Sequence, residues 1–295
     1  MPSYRQSIGY RLFTIGNMVF LTLLAFTCLF PIIHVLSISL SSAQAVSAGA
    51  VKLWPVDFTL VSYESVFRKQ AFLLAFWVSL KRVVLGTSIS MLLMILLAYP
   101  LSKDNKQFPF RTVYVWIFVF TIIFGGGLIP TYMVIKSMGM IDTIWALVIP
   151  SAVSVFNAVL LLNFFRNLPK ELEESAKLDG ANHWTILWRI YVPVSLPALA
   201  TVFLFTIIGH WNSWFDGLIY MNQSDNYPLQ TYLQTTIVSK DLSQMSAQEA
   251  EKYFRMNDRT GRAAQIFVAA LPILLAYPFL QRFFMKGIVL GSVKE

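Results

Sequence analysis

The chain has a single cysteine, Cys28, inside an apolar run. One thiol makes no intrachain disulfide, and it excludes a cysteine-built metal site within the chain. The three histidines, His34, His183 and His210, have no metal-ligand spacing. Charge is scarce too: 13% of the 295 residues are Asp, Glu, Lys or Arg, about half the share in a soluble domain. No Gly-rich loop runs into Lys-Ser or Lys-Thr, so no phosphate-cradling P-loop is present; GGGLIPT, starting at Gly125, lacks the lysine. No nucleophile–base arrangement is visible. The sequence therefore reads as neither an enzyme nor a nucleotide binder, and no metal site is expected.

Apolar length is what the chain has in quantity. Hydrophobic residues make up 56% of it and mean hydropathy is +0.61, as expected of an all-α polytopic membrane protein in which runs of about 20 apolar residues cross the bilayer. The net charge of +8 comes from Lys and Arg scattered between these runs. That pattern suits loops at a membrane surface and speaks against a nucleic-acid partner. Six spans are expected, at about 13–37, 77–99, 113–135, 144–165, 195–217 and 263–284. Arg5 and Arg11 followed by an apolar run and SSAQAVSAGA imitate a cleaved signal peptide. The run from Leu12 to Ile38 exceeds the usual core of about 7–15 residues, which favours a retained first span.

Basic residues in 100–112 (Lys103, Lys106, Arg111) and 285–295 (Lys286, Lys294) place both termini inside. The outside segments are then 38–76 and 218–262. Within the second, SAQEAEKYFRM reads as a short helix. Either segment serves a partner or covers the bundle. Pro31, Pro130, Pro150, Pro197, Pro272, Pro278 and the run Gly125–Gly127 lie in or beside the spans. Such residues serve ordinary helix packing, or break helices where neighbours or a wet cavity satisfy the backbone.

One inside segment, 166–194, is too polar to span. Asn167, Leu168 and Pro169 open a helix, and Glu171, Glu173 and Glu174 suit its positive end. Leu172, Ser175, Ala176 and Asp179 share a face, and Gly180 suits a left-handed C-terminal cap. A second amphipathic stretch presents Trp184, Leu187, Ile190 and Tyr191, and Pro193 closes it. Two short hinged helices make either a knob that docks in a groove of another protein or a helix pair lying on lipid.

The residues Glu174, Ser175, Ala176, Gly180, Ile190 and Pro193 are spaced as in the EAA signature of binding-protein-dependent ABC importers, which the segment resembles. Asp179, Gly180 and Ala181 look like the carbohydrate branch. Ser175 and Val192 depart from the family's usual alanine and leucine. LWPVDFTLVSYESVF and HWNSWFDGLIY resemble the first outside segment and the fifth span of sugar permeases, and the tail GIVLGSVKE is similar to the end of the maltose-type smaller permease. NLPKELEESAKLDGAN and LPILLAYPFLQRFFMKGIVLGSVKE resemble permeases for polymer-derived saccharides such as alginate-type sugars. The resemblance implies a type I ABC importer permease fold, forming one domain over 1–295 in a bacterial cytoplasmic membrane. It implies a second, related permease, two cytoplasmic ATPase subunits holding ATP and magnesium, an extracytoplasmic solute-binding protein and an oligosaccharide substrate. In that family the knob docks on an ATPase, whose closure turns the paired permeases outward. By the same likeness, 287–295 reaches the ATPase interface and 222–260 the binding protein.

For the pathway, Asn212, Asp216 and Tyr220 recur every four residues and would share a helical face. Trp211, Trp214 and Phe215 beside them suit sugar stacking, or an interfacial aromatic belt. Asn157 and Asn163 line the pathway or bond between helices. Lys81 and Arg82 are expected to snorkel to the interface. A proton-coupled carrier would need buried ionisable groups, for which His210 and Asp216 are the candidates. A structural subunit that moves nothing is the remaining alternative.

Overall fold

The computed structural model describes residues 8–238 and 259–292, and among them there is no strand. Helix α1 covers Ile8–Ser39, α2 Ala43–Ser47, α3 Val61–Arg68 and α4 Gln70–Ser102. Helices α5 (Arg111–Ile123) and α6 (Leu128–Ser137) meet at 114°. Helix α7 (Ile144–Val148), extended by a 3₁₀ turn to Ser151, meets α8 (Val155–Arg166) at 46°. Next come α9 (Lys170–Leu178), α10 (His183–Ile186), a π turn over Leu187–Tyr191 and α11 (Val192–Val194). The stretch His183–Val194 then turns through 81° into α12 (Leu196–Asn212). Helices α13 (Phe215–Tyr220), α14 (Leu229–Leu233) and α15 (Arg259–Ser292) follow.

Three helices are individually long and apolar enough to cross a bilayer: α1, α4 and α15 over Arg259–Pro278. Each of the three bent pairs passes the same test as a unit, for up to six candidate spans by length and composition. The breaks follow from local chemistry. Between α5 and α6, Gly127 takes φ 84°, a left-handed conformation that glycine adopts without strain. The Gly127 carbonyl starts α6, accepting from Thr131 N–H at 3.3 Å and from the Thr131 hydroxyl at 2.7 Å. Of the two readings of the Gly125–Gly127 run, helix packing or a break, the structure shows the break within the third span. Before α8, the Ser154 hydroxyl accepts from the Asn157 N–H at 3.4 Å and caps the new helix. At α12, Pro197 can donate no backbone bond and its ring crowds the preceding turn, which suits the sharp entry.

Two further expectations shift. Helix α4 starts at Gln70 instead of near 77, because residues 70–76 (QAFLLAF) hold no glycine or proline to break it. The fifth span stops at Asn212, short of 217. The short helix expected within 246–256 lies outside the described residues.

The chain divides into two compact units. The first comprises residues 1–69 and 240–270. In it, the Ser42 hydroxyl caps α2 by accepting from Ala45 N–H at 3.2 Å, and Ser62 donates to Thr260 at 2.7 Å. Along α1 the apolar side chains, Met18, Leu23 and Phe30 among them, are exposed on this chain, as suits a helix whose neighbours are lipid or another subunit. The second unit comprises residues 70–239 and 271–295. There α4, α8 and α12 pack on one another around Met94, Leu161, Phe165 and Val202, and α9 and the π turn add Ala176, Leu187 and Tyr191 to the same core.

Candidate functional site: a hinged knob and an intramembrane cavity

The knob forms as two hinged helices. Helix α9 ends in a left-handed cap: Gly180 has φ 77°, its N–H donates to Lys177 O at 3.0 Å, and Ala181 N–H donates to Ala176 O at 2.9 Å. This paired bonding satisfies the last carbonyls and fixes the angle of the turn. Asn182 then caps α10, its side-chain oxygen accepting from Thr185 N–H at 2.8 Å. Glu174, Ser175, Asp179, Gly180 and Pro193 are exposed, Ala176 is buried, and Ala181 and Ile190 are half-buried against the core.

Burial picks out only part of each of the two faces. On α9 it is Glu173 and Ala176 that turn inward, while Leu172, Ser175 and Asp179 stay outside. On the second stretch Ile186, Leu187 and Tyr191 are buried and Trp184 is 61% exposed. The π turn inserts an extra residue per turn and rotates the face away from a 3.6-residue count. Leu178, Trp184 and Trp188 are exposed on the knob, as are Glu174 and Asp179.

An ionic and aromatic cluster ties the knob to the end of α4. Lys103 Nζ donates to Glu173 Oε2 at 2.6 Å and to the Tyr191 hydroxyl at 3.0 Å; that hydroxyl donates in turn to Glu173 Oε2 at 2.7 Å. Lys177 closes on Glu173 Oε1 at 2.7 Å. The ammonium of Lys103 sits 4.0 Å and 4.1 Å from the ring centroids of Tyr99 and Tyr191, a cation–π sandwich. Tyr99 also meets His183 Nδ1 at 3.1 Å. Burial would raise the Glu173 carboxyl, but hydrogen bonds from Lys103, Lys177 and Tyr191 outweigh it and hold the pKa down at about 2. The Tyr191 hydroxyl is pushed up by burial and by that carboxylate. Neither Lys103 nor Glu173 was singled out as part of this tie. A buried ion pair between residues so far apart in sequence has no local signature.

The second feature is a cavity of about 240 Å³ lined by α4, α8 and α12 with the turns at their ends. Arg82, on α4, is 1% exposed. Its guanidinium grips the Asp216 carboxylate with Nη1 at 3.1 Å and with Nη2, and donates to Ser213 O at 3.2 Å. Asp216 Oδ1 accepts further from the Ser213 hydroxyl at 2.8 Å and Gly217 N–H at 2.9 Å. The expectation that Arg82 snorkels is overturned. It lies twelve residues inside α4, and a carboxylate from α13 compensates it. Lys81 is exposed.

Asn157 and Asp216 both line this cavity, with Ser90, Ser154 and His210. The other pathway candidates scatter. The break at Ser213–Trp214 removes the shared helical face of Asn212, Asp216 and Tyr220, because the four-residue step holds only in a continuous helix. Trp211 is buried, edge-on to Phe76, while Asn212 is exposed. Trp214 is 38% exposed and packs edge-on to Phe215. Tyr220 is buried and stacks on Tyr132. Asn163 is exposed. Asp142, which nothing in its neighbourhood marks, gathers the turn after α13: its Oδ1 accepts from Asn222 N–H at 3.0 Å and Asn226 Nδ2 at 3.1 Å. Among the described residues no three His, Cys, Asp or Glu side chains gather as metal ligands.

Comparison with known proteins places these features in a lineage. The polygalacturonan/rhamnogalacturonan transport system permease protein of Bacillus subtilis (strain 168) is 39% identical over 284 residues, covering 96% of this chain and 99% of that one. The lactose transport system permease protein of Rhizobium radiobacter is 27% identical, covering 93% and 94%. A chain in the crystal structure of a bacterial ABC transporter involved in the import of the acidic polysaccharide alginate superposes with a TM-score of 0.84 at 33% identity, covering 96% of this chain and all of that one. Residues 7–289 match the family described as binding-protein-dependent transport system inner membrane component. Up to six candidate spans and a hinged pair of short helices belong to a chain that is a member of that family, the permease component of a transport system and not its catalytic part.

Proposed function

We propose that the chain is one of two paired permeases in an ATP-driven importer of uronate-bearing oligosaccharides cut from acidic polysaccharides. The observation that carries this reading is the guanidinium of Arg82, buried in a polar cavity within the membrane-spanning bundle. A charge there is costly unless it serves a pathway or a partner; both Nη atoms are held by Asp216, so in this reading the pair orders the wall of the route and does not itself grip the cargo. The names of the Bacillus subtilis relative and of the alginate transporter point to acidic cargo.

In this reading residues 1–295 act as a single permease domain in a bacterial cytoplasmic membrane, with both termini inside. The knob from Glu174 to Pro193 seats in a cleft of a cytoplasmic ATPase. The two ATPase subunits hold ATP and magnesium. The cluster around Lys103 passes the movement of the knob to α4. A solute-binding protein delivers cargo on the other face, where 222–260 meets it, while 287–295 approaches the ATPases; 239–258 and 293–295 lie outside the described residues. Asp216 and Asn157 line the route together with Arg82, and Trp211, Asn212, Trp214 and Tyr220 support its outer end.

The test is uptake by the complete transporter in proteoliposomes, offered labelled galacturonate oligosaccharides or neutral oligosaccharides of equal length. ATP-dependent uptake of the acidic sugar, lost in Arg82→Gln while the ATPase still assembles, is the expected result. Import of neutral sugar alone, or acidic uptake indifferent to Arg82→Gln, overturns it. His210 and Asp216 lining one cavity is the observation that favours a proton-coupled carrier. Such a carrier would import under a pH gradient with no ATPase present.

A further inference from the structure

A second cavity, of about 310 Å³, lies where the knob meets the ends of three spans. Ser102 ends α4, Arg111 opens α5 and Arg166 ends α8, and all three line it. The ends of spanning helices are expected near the boundary between hydrocarbon and water.

Its wall is cationic. Lys103, Arg111, Arg166, Lys170 and Lys177 face Asp104, Glu173 and Glu174. Two of the three acids are already engaged: Glu173 by Lys103 and Lys177, and Asp104 by Lys170 at 2.9 Å. Neither arginine forms an ion pair with a described residue. Arg111 donates once, to Lys103 O at 3.2 Å, and keeps a buried Nε without a hydrogen-bond partner. Arg166 lies within electrostatic reach of both Arg111 and Asp104. A solvated basic face would scatter such charges on a convex surface. Here they converge in a recess, where low-dielectric walls concentrate the potential.

We infer that this recess binds a phosphate group, that of an anionic phospholipid, between Arg111 and Arg166. Guanidinium forks match phosphate oxygens two at a time, and basic pockets between membrane helices at the bilayer surface take anionic headgroups. Lipid phosphates lie at this height, and free phosphate offers the same chemistry. The inference does not depend on which sugar is carried.

The experiment uses the complete transporter, delipidated in detergent and titrated with phosphatidylglycerol, phosphatidylcholine or inorganic phosphate. Bound lipid is read by native mass spectrometry and the unfolding midpoint by fluorescence. The expected result is selective retention of phosphatidylglycerol with a raised midpoint. Arg111→Gln/Arg166→Gln should weaken that binding by at least about tenfold, since each lost charge-assisted bond is worth over about 1.5 kcal/mol. Lys106→Gln, at an exposed position that does not line the recess, should leave it unchanged. If the double variant fails to assemble, Arg111→Lys/Arg166→Lys keeps the charge and loses the fork, and a partial loss is expected. Equal effect from inorganic phosphate would uphold the phosphate site and overturn its lipid source. Equal retention of the two lipids, or undiminished phosphatidylglycerol binding in both double variants, would overturn the site.

Discussion

Lys103 and Glu173 lie 70 residues apart in the chain and 2.6 Å apart in space. Their contact joins the loop after α4 to the knob, so it bears directly on how the knob is held. Lys103→Met removes the ammonium and leaves Glu173 buried with only Lys177 and Tyr191. Breaking a buried pair from one side costs about 3–5 kcal/mol, and the two remaining partners reduce that to its lower end. Tyr191→Phe removes one hydrogen bond, worth about 1 kcal/mol. Thermal unfolding of the purified complex should rank wild type above Tyr191→Phe above Lys103→Met. A Lys103→Met midpoint equal to wild type would refute the tie.

The same carboxyl sets a pH dependence. Its folded pKa of about 2 lies below the ordinary value of 4.5. The stability it contributes is therefore complete above about pH 4.5 and is lost as pH falls toward about 2. Between these limits wild type should lose its advantage over Glu173→Gln, and the two unfolding curves should converge. Curves that stay parallel through that window would show that Glu173 does not titrate low.

Gly180 joins α9 to α10 at φ 77° and donates its N–H to Lys177 O. Proline allows neither, so Gly180→Pro should uncouple the complex: ATP hydrolysis continues while sugar uptake falls to background. Gly180→Ala strains a left-handed position by roughly 1–2 kcal/mol, and Gly180→Asn, which tolerates that region, should be milder. Wild-type uptake in Gly180→Pro would remove the hinge from the mechanism.

Arg82 and Asp216 compensate each other inside the membrane. Asp216→Leu strands a buried guanidinium and should destabilise by about 3–5 kcal/mol. The double variant Arg82→Leu/Asp216→Leu should recover most of that stability and none of the uptake. Recovery of both would make the pair structural only; recovery of neither would mean that each residue acts through other contacts.

How far the sequence carried these readings depended on distance along the chain. Apolar runs located six candidate spans, because length and hydropathy are local properties. The Gly180 cap was legible for the same reason: its conformation is demanded by one residue. The inward turn of Glu173 was not legible, since its neighbour Glu174 has the same charge and only packing on Lys103 and Tyr191 separates them. Arg82 looked like a snorkelling cation because its partner, Asp216, lies 134 residues away. The break at Ser213–Trp214 dissolved a periodicity that a continuous helix would have kept.

One contact between α4 and α12 is close enough to test by adding a single methyl group. A Cβ at Gly86 would lie 2.6 Å from His210 Cε1 and Nε2, inside van der Waals contact, and His210 also hydrogen-bonds the Gly86 backbone. Gly86→Ala must push the imidazole toward the cavity or part the helices, at a cost of about 1–3 kcal/mol. His210→Ala alone loses the bond and some packing. Combined, the methyl group occupies space the ring has left, so the double variant should be more stable than the sum of the two losses predicts by at least about 1 kcal/mol. Three unfolding midpoints measured against wild type decide it. Additive losses would mean that the ring has room to swing aside, and that glycine at position 86 is not what lets the two spans approach.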